Sequence, residues 1–431
     1  MSQHFAHTVF AYGLSVRMTM AQTQFKSADN AAKNNPMKVL HIIPSVGPVR
    51  GGTSVAALEL VQALRSQNID AEIATTNDNG DTCLNEPLHQ LTDYKGTPVR
   101  FFQKHLSSVN AISEFIFSWE FSKWIWQNID HYDLVEIHSF FSYVCTFTGV
   151  VCRCKNKPYI INPHGHFLPW VISQKALKKK IYMILAEGKN LNRANAIHCS
   201  TNQEALDVKH YGVRASPFVV PYGVDLSPDL PSPKKSLQEK YGVSTTTPVI
   251  LFLSRLHPKK RLDFLLDVLA PLKDKTPFHL MVGGSGDQDY EQTLIEQVSR
   301  LGLGDRVTFA GFVGGVTKDL LLQSADIFAL PTYGENFGIS TVEAMAAKVA
   351  VITTPALQLA PDIEGAGAGI IVPGEHQLWI DALEKLLTSP EQRQAMGQRG
   401  EHLARSQYDW NVVGRQLADV YQTVLDGQGC R

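Results

Sequence analysis

Glu335 and Glu343 stand with seven residues between them, at a place where the chain changes character. An apolar run ends at Leu330, Glu335 sits in the loop that follows, and a helix is predicted to start near Gly338 with Glu343 in its early turns. The unbonded N–H groups of a helix start can hold an anion. A cap at Glu335 and a dipole partner at Glu343 would explain the same carboxylates with no ligand. Upstream, residues 254–261 carry Arg255 and Lys260 and are predicted to open a helix at Pro258, a favoured first position. Lys259, Lys260 and Arg261 then crowd the positive end of that helix. The dipole disfavours each such cation by roughly 0.3 kcal/mol or more, so a bound anion would account for them; a solvated basic turn is the plainer alternative.

The spacing Asp287-Gln288-Asp289 is one by which some enzymes hold a divalent ion. It follows the glycine turn Gly283-Gly284-Ser285-Gly286 and precedes a helical run, where acids favour the N-terminus. Two carboxylates without a further partner make a poor cage, so the segment is read as a helix start and no metal site is assigned.

Such residues need a scaffold that gathers distant segments. From Lys38 onward, short β-branched runs alternate with longer helical periods, the signature of βαβ units and a parallel sheet. Strands are predicted at 38–43, 71–75, 99–102, 134–137, 159–162, 196–199 and 218–220, then at 249–253, 279–282, 306–309, 326–330 and 350–353. In the first helix Val55, Leu58, Val61 and Leu64 recur behind a Thr53/Ser54 cap. Residues 223–247, with Pro228, Pro231, Pro233 and a Ser/Thr-rich run, read as a linker. The fold class is therefore α/β: an unstructured tail at 1–36, Rossmann-like domains at 37–222 and 248–405, and a C-terminal helix at 406–431 that packs back on the first domain. Ligands of such sheets bind in the cleft outside the carboxyl ends of the strands.

A length of 431 residues exceeds what one core usually supports, and a net charge of −1 argues against nucleic-acid binding driven by bulk charge. Any cationic site must be local. Six cysteines without zinc-like pairing suggest free thiols in a reducing cytoplasm. The first 36 residues lack the charge and apolar pattern of a signal peptide, and Met18, Met20 and Met37 offer later starts. No run approaches the roughly 18 apolar residues of a membrane span.

Taken together, E-x7-E at Glu335 and Glu343 and R-x4-K at Arg255 and Lys260 resemble the retaining GT-B glycosyltransferases of family 4, the glycosyl transferases group 1. Gly51-Gly52, Pro163-His164-Gly165 and the 283–286 glycine turn add to the likeness, which covers 37 to about 426. The resemblance implies two Rossmann-like domains facing across a cleft, acceptor in the first and donor in the second, and transfer of a sugar, in the first instance a hexosyl group, from a nucleotide-diphosphate sugar. It implies that Arg255 and Lys260 hold the diphosphate, and that Glu335 with the Asn336-Phe337-Gly338 backbone holds the donor sugar. Glu343 would hold the ribose, with the base near Phe312 and Val313. His164 would sit near the reacting sugar, and Gly51, Gly52 and Gly284 would let backbone approach the donor. His138 and His166 read as structural histidines. Asp362 stands where many members have Glu, which leaves its part open. The nucleotide sugar is a co-substrate, and no cofactor or metal is called for.

The acceptor is less legible. Residues 173–190 carry Lys175, Lys178, Lys179 and Lys180 beside Leu177, Ile181, Ile184 and Leu185, a pattern that could rest on the cytoplasmic face of the inner membrane or simply be a core-facing helix with solvated lysines. The aromatic run 115–126 could add to it. A saccharide, lipid-linked or in a growing cell-surface polysaccharide, is the expected acceptor. A sugar-nucleotide epimerase of the same fold and a non-catalytic nucleotide-sugar-binding protein are the rivals. A nicotinamide enzyme is excluded, because Pro44-Ser45-Val46-Gly47-Pro48 and Ala74-Thr75-Thr76 lack the glycine fingerprint and the acid ending the second strand.

Overall fold

A computed structural model of the chain describes residues 36–105, 115–168, 171–172 and 176–427. The tail read at 1–36 lies outside them up to residue 35, as do Lys175, Cys430 and the last four residues of the C-terminal helix predicted at 406–431. The first lobe contains β1 (Lys38–Ser45), β2 (Asp70–Thr76), a small hairpin β3 (Asp78–Asn79) and β4 (Thr82–Cys83), β5 (Leu91–Tyr94), β6 (Thr97–Phe102), β7 (Leu134–His138), β8 (Tyr159–Asn162), β9 (Ala196–Cys199) and β10 (Pro217–Val219). Eight of these form one sheet in the order β10-β9-β8-β7-β1-β2-β6-β5. Its pairs are parallel except β5 with β6, an antiparallel hairpin that the sequence reading did not predict.

The second lobe holds β11 (Val249–Leu253), β12 (His279–Gly283), β13 (Val307–Gly311), β14 (Ile327–Leu330), β15 (Ala350–Thr353) and β16 (Gly369–Ile371), all parallel, in the order β13-β12-β11-β14-β15-β16. Every residue of β7 and β11 is buried, as expected where helices cover both faces of a parallel sheet. Both sheets therefore present their carboxyl ends as the natural place for a site.

Three local expectations change. The first helix, Gly52–Ser66, is preceded by Gly51 with φ 74°, and neither Thr53 nor Ser54 caps it; the Ser54 hydroxyl instead donates to the Ser45 carbonyl at 2.9 Å. Residues 223–247 contain a helix, Pro233–Tyr241, whose Leu237 enters the second-lobe core. Pro233 opens that helix rather than breaking one, since proline suits the first helical turn. The change of lobe lies close to Gly223, where a Cβ would come within 2.2 Å of the Trp410 ring, and Val224 N–H donates to the Tyr408 carbonyl at 2.8 Å. The third concerns Pro258, described below. The last described helix, Trp410–Leu425, lays Val413, Leu417 and Tyr421 into the first-lobe core beside Val39, Leu60 and Leu64. Gly414 permits this, because a Cβ there would meet the Ala63 carbonyl at 2.9 Å.

Candidate active site

On the second lobe, β11 and β12 run parallel and end together, Leu253 beside Gly283, so the loops that follow them lie side by side. Gly284, with φ 139°, has no room for a side chain, since a Cβ would come within 1.9 Å of the Ser254 carbonyl. Its role in the structure is this close approach, which holds the backbone at Arg255. Pro258–Lys260 forms a single 3-10 turn, not the predicted helix start. Arg261 follows in the left-handed region with φ 59°, and the helix begins only at Leu262. The Arg261 guanidinium stacks 3.9 Å from the Phe264 ring centre and 4.3 Å from that of Tyr333. Arg261 is therefore spent on packing, and the cations that remain at the turn are Arg255, which is exposed, and the half-buried Lys259 and Lys260.

Lys260 meets Glu335 in an ion pair across the two loops. Burial, with the charges of Lys259 and Arg255, pushes the Lys260 ammonium down to about 7. The Glu335 carboxylate opposes that shift, and an incoming phosphate would do the same. The Glu335 loop is fixed from behind: Glu335 N–H donates to the Ala356 carbonyl and Gln358 N–H to the Glu335 carbonyl, each at 3.0 Å. Gly338 follows with φ 72° as the residue before the helix Ile339–Ala346, which carries Glu343. Glu343 is engaged by Lys318 at 2.5 Å, a partner the sequence reading missed. Phe312 is 74% exposed just past β13, beside the half-buried Val313, an apolar platform in solvent. Asp287 caps the helix Gln288–Arg300, accepting from Asp289 N–H at 3.1 Å and Tyr290 N–H at 3.4 Å, in line with the helix-start reading.

The first lobe answers with a chain of neutral rings. His41 Nδ1 lies 2.9 Å from His138 Nε2, His138 Nδ1 lies 2.9 Å from His164 Nε2, and His164 Nδ1 lies 2.7 Å from the Tyr222 hydroxyl. Tyr222 donates to Asn162 Oδ1 at 3.0 Å. Burial drives His41 down to about 3 and His138 to about 4, and holds His164 well below its ordinary value, so the chain is neutral. His164 itself has φ 49°, a backbone conformation that is uncommon outside glycine. Beneath the chain, His198 faces an acceptor at each nitrogen, the Glu136 carboxylate at 2.8 Å and the Val220 carbonyl at 2.8 Å. Both nitrogens then donate, and the ring is an imidazolium. Burial works against that charge, but Glu136 and Val220 outweigh it and raise the His198 pKa. Tyr421, from the returning helix, donates to the other oxygen of Glu136. None of these supports was foreseen, although an acid inside the apolar run of β7 is a readable signal.

The two lobes touch at the predicted residues. A Cβ on Gly165 would come within 2.8 Å of Asn336 Cβ, and Asn336 Nδ2 donates to Ser200 Oγ at 3.0 Å. Gly165 N–H and Ser200 N–H both donate to buried Glu204, at 2.6 and 2.7 Å. Thr201 donates to Gln358 at 3.1 Å, and Gln358 to Asp207 at 2.6 Å. Phe337 packs edge-on against Tyr222 and Tyr408, so its side chain belongs to the seam between lobes. Gly52 faces the start of the Glu343 helix, with Ile339 Cδ1 3.5 Å from where its Cβ would stand, and Gly51 supplies the positive φ that turns the chain there. His166 lies apart from the relay, 3.3 Å from the Ser139 hydroxyl.

Residues 233–403 match the family described as Glycosyl transferases group 1, and residues 50–228 the one described as Glycosyltransferase Family 4. The D-inositol 3-phosphate glycosyltransferase of Gordonia bronchialis is 27% identical over 260 residues, 58% of this chain and 56% of that protein. Mannosylfructose-phosphate synthase of Agrobacterium fabrum is 29% identical over 240 residues, 51% of each. The chain spans little more than half the length of the first curated relatives it matches. Among solved structures, sucrose-phosphate synthase from Thermosynechococcus elongatus aligns over 91% of this chain and 100% of its own, with a TM-score of 0.74 at 18% identity. Anabaena HepE in complex with UDP and glucose aligns over 90% and 100%, with a TM-score of 0.72 at 22% identity.

Proposed function

The chain belongs to the glycosyl transferases group 1 and has the GT-B fold, and from that premise we propose that it is a retaining, metal-independent glycosyltransferase using a nucleotide-diphosphate sugar. The acceptor in this reading is a hydroxyl of a growing saccharide, lipid-linked or part of a cell-surface polysaccharide, met at the cytoplasmic face of the membrane. One observation carries the reading. Gly165 presses on Asn336 across the cleft, so His164 and Glu335 are each one residue from the same contact, and Lys260 is paired to Glu335.

In this reading Arg255 and Lys260 neutralise the donor diphosphate, taking the part that a divalent ion plays elsewhere. Glu335 and the 336–338 backbone hold the sugar, Glu343 exchanges Lys318 for the ribose diol, Phe312 and Val313 flank the base, and Gly51 and Gly52 let amides approach the diphosphate. The bond from the anomeric carbon to the diphosphate oxygen breaks, and the bond to the acceptor oxygen forms on the same face. The acceptor proton passes to the departing phosphate, so the protein supplies positioning and charge rather than a nucleophile. The test is a thermal-shift panel of UDP-, GDP-, ADP- and TDP-sugars, followed by transfer in excess chelator and assignment of the product anomer by NMR. One nucleotide class should raise the melting temperature with the logarithm of its concentration. Stabilisation by none, activity that returns only with added manganese, or an inverted product would each overturn a named part of the reading.

A further inference from the structure

The candidate site uses the carboxyl ends of the first-lobe strands, and their amino ends carry a second concavity. Between Pro158 at the start of β8, Asn195 before β9 and Val213 ahead of β10 opens a cavity of about 1080 Å³. Its lining holds Arg153, Lys157, Lys180, Lys189, Arg193 and Arg214, and no carboxylate. Among the described residues none of the six forms an ion pair with an acid; the nearby Asp130 is taken by Lys155 at 2.5 Å. On a chain of net charge −1, this is a strong local concentration of like charge, which repels itself unless an anion enters.

The helical segment that lines one side of this cavity through Lys180, Met183 and Ile184 also exposes apolar residues. The helix Ala176–Tyr182 and the π-helical turn Met183–Glu187 expose Leu177 (72%), Ile181 (50%), Ile184 (68%) and Leu185 (73%). Positions i, i+4, i+7 and i+8 fall on one helical face, the kind of stripe that normally turns inward. Here it faces solvent, and Ile184 lines the cavity as well. A free phosphate would engage the cations and leave that stripe wet. A bilayer satisfies both, with headgroup phosphates for the cations and the acyl boundary for the stripe.

We propose that the amino end of the first lobe docks on an anionic phospholipid bilayer, with headgroup phosphate in the basic cavity and Leu177, Ile181, Ile184 and Leu185 in the interfacial layer. The cleft lies at the opposite end of β8, roughly 13 Å of strand away, so docking does not occlude it. The proposal extends the membrane-side part of the proposed function, but its test uses neither donor nor acceptor, so the two can fail separately.

The experiment is sedimentation of the full chain with phosphatidylcholine vesicles, with and without phosphatidylglycerol. Binding is expected only to the anionic vesicles and should fall steeply with salt. Lys189→Gln, Arg193→Gln and Arg214→Gln together should weaken it on the order of a hundredfold, about fivefold per cation near an anionic surface. Ile184→Gln with Leu185→Gln should also weaken it, while the melting temperature measured without nucleotide is kept in both variants as the check on folding. Equal binding to neutral vesicles, or a triple variant that binds like the parent, overturns the proposal. So does full vesicle binding by the apolar variant together with displacement by inorganic phosphate, which would make free phosphate the ligand. If the triple variant does not fold, salt-insensitive binding by the parent chain overturns it instead.

Discussion

The two walls of the cleft are built on opposite principles. The second lobe presents charges, Arg255 and the pairs Lys260–Glu335 and Lys318–Glu343, which an anionic ligand or a diol would have to exchange. The first lobe presents His164 at the end of a neutral relay in which both ring nitrogens are already engaged. A charged wall of this kind gains by binding an anion and must be ready to rearrange. A neutral, fully bonded wall gains by staying where it is. The contrast predicts that disabling the charged wall costs binding and chemistry together, whereas disabling the neutral wall costs geometry.

The sharpest way to break the comparison is Lys260→Ala. It removes the half-buried cation and leaves Glu335 without its partner, so turnover should fall by about 10²–10³. Affinity for free nucleoside diphosphate should fall with it. Steady-state kinetics and calorimetric titration check both, and unchanged nucleotide affinity would move Lys260 out of the donor site.

His164→Ala addresses the other wall. Its turnover should fall on the order of tenfold to a hundredfold, with nucleotide affinity nearly constant, because its bonds go to His138 and Tyr222 rather than toward the second lobe. Tyr222→Phe should reproduce a fraction of that loss. Equal losses in turnover and affinity would place His164 in ground-state donor binding, and no loss in either would make it structural.

Glu343→Ala tests the ribose assignment and should be milder. About tenfold weaker nucleotide binding is expected, from the loss of one charge-assisted contact to the sugar hydroxyls. Lys318→Met should change affinity less, since Lys318 must leave Glu343 when the ribose arrives. A Lys318 variant more impaired than the Glu343 variant would show the ion pair itself to be the functional unit.

The charged wall was also the legible one, and the same physics explains why. Arg255, Lys260, Glu335 and Glu343 stand at short local spacings around strand ends, and such spacings survive in a linear sequence. Tyr421 reaches Glu136 across 285 positions, and His41 reaches His138 across 97, so no window contains both partners. Strand positions from β7 to β9 and at β11 were readable to within a residue because every residue there is apolar or buried. β5 was not, because Leu91 is 48% exposed and the strand alternates on a sheet edge. Pro258 and Pro233 show the limit of a local rule: the same residue opened a single 3-10 turn in one case and a true helix in the other.

The smallest effect expected on catalysis concerns Tyr421→Phe, which removes one hydroxyl from the buried Glu136 and fills the same space. Burial pushes the Glu136 carboxyl up, but the charge and hydrogen bond of His198 hold it far below the ordinary range, so it remains a carboxylate. Taking away one donor should cost about 1–3 kcal/mol of stability and leave turnover within roughly twofold. The pH dependence separates this bond from the relay above it. His41, at about 3, and His138, at about 4, lie below the unfolded value near 6.5, so their contribution is complete above pH 6.5. It is lost as the pH falls from there toward 4, because the unfolded chain takes up protons that the folded rings refuse. His198, raised, contributes with the opposite sign and loses its share as the pH rises through its folded value. With His164, held well below its ordinary value, and His166, lowered to about 4, four lowered rings stand against one raised, which gives a melting temperature that drops between pH 6.5 and 4, and Tyr421→Phe should shift that curve down without changing its slope. Calorimetry across the range checks it: a flat profile in the parent chain would mean that the relay is not neutral, and a steeper one in the variant would mean that Tyr421 holds the relay as well as Glu136.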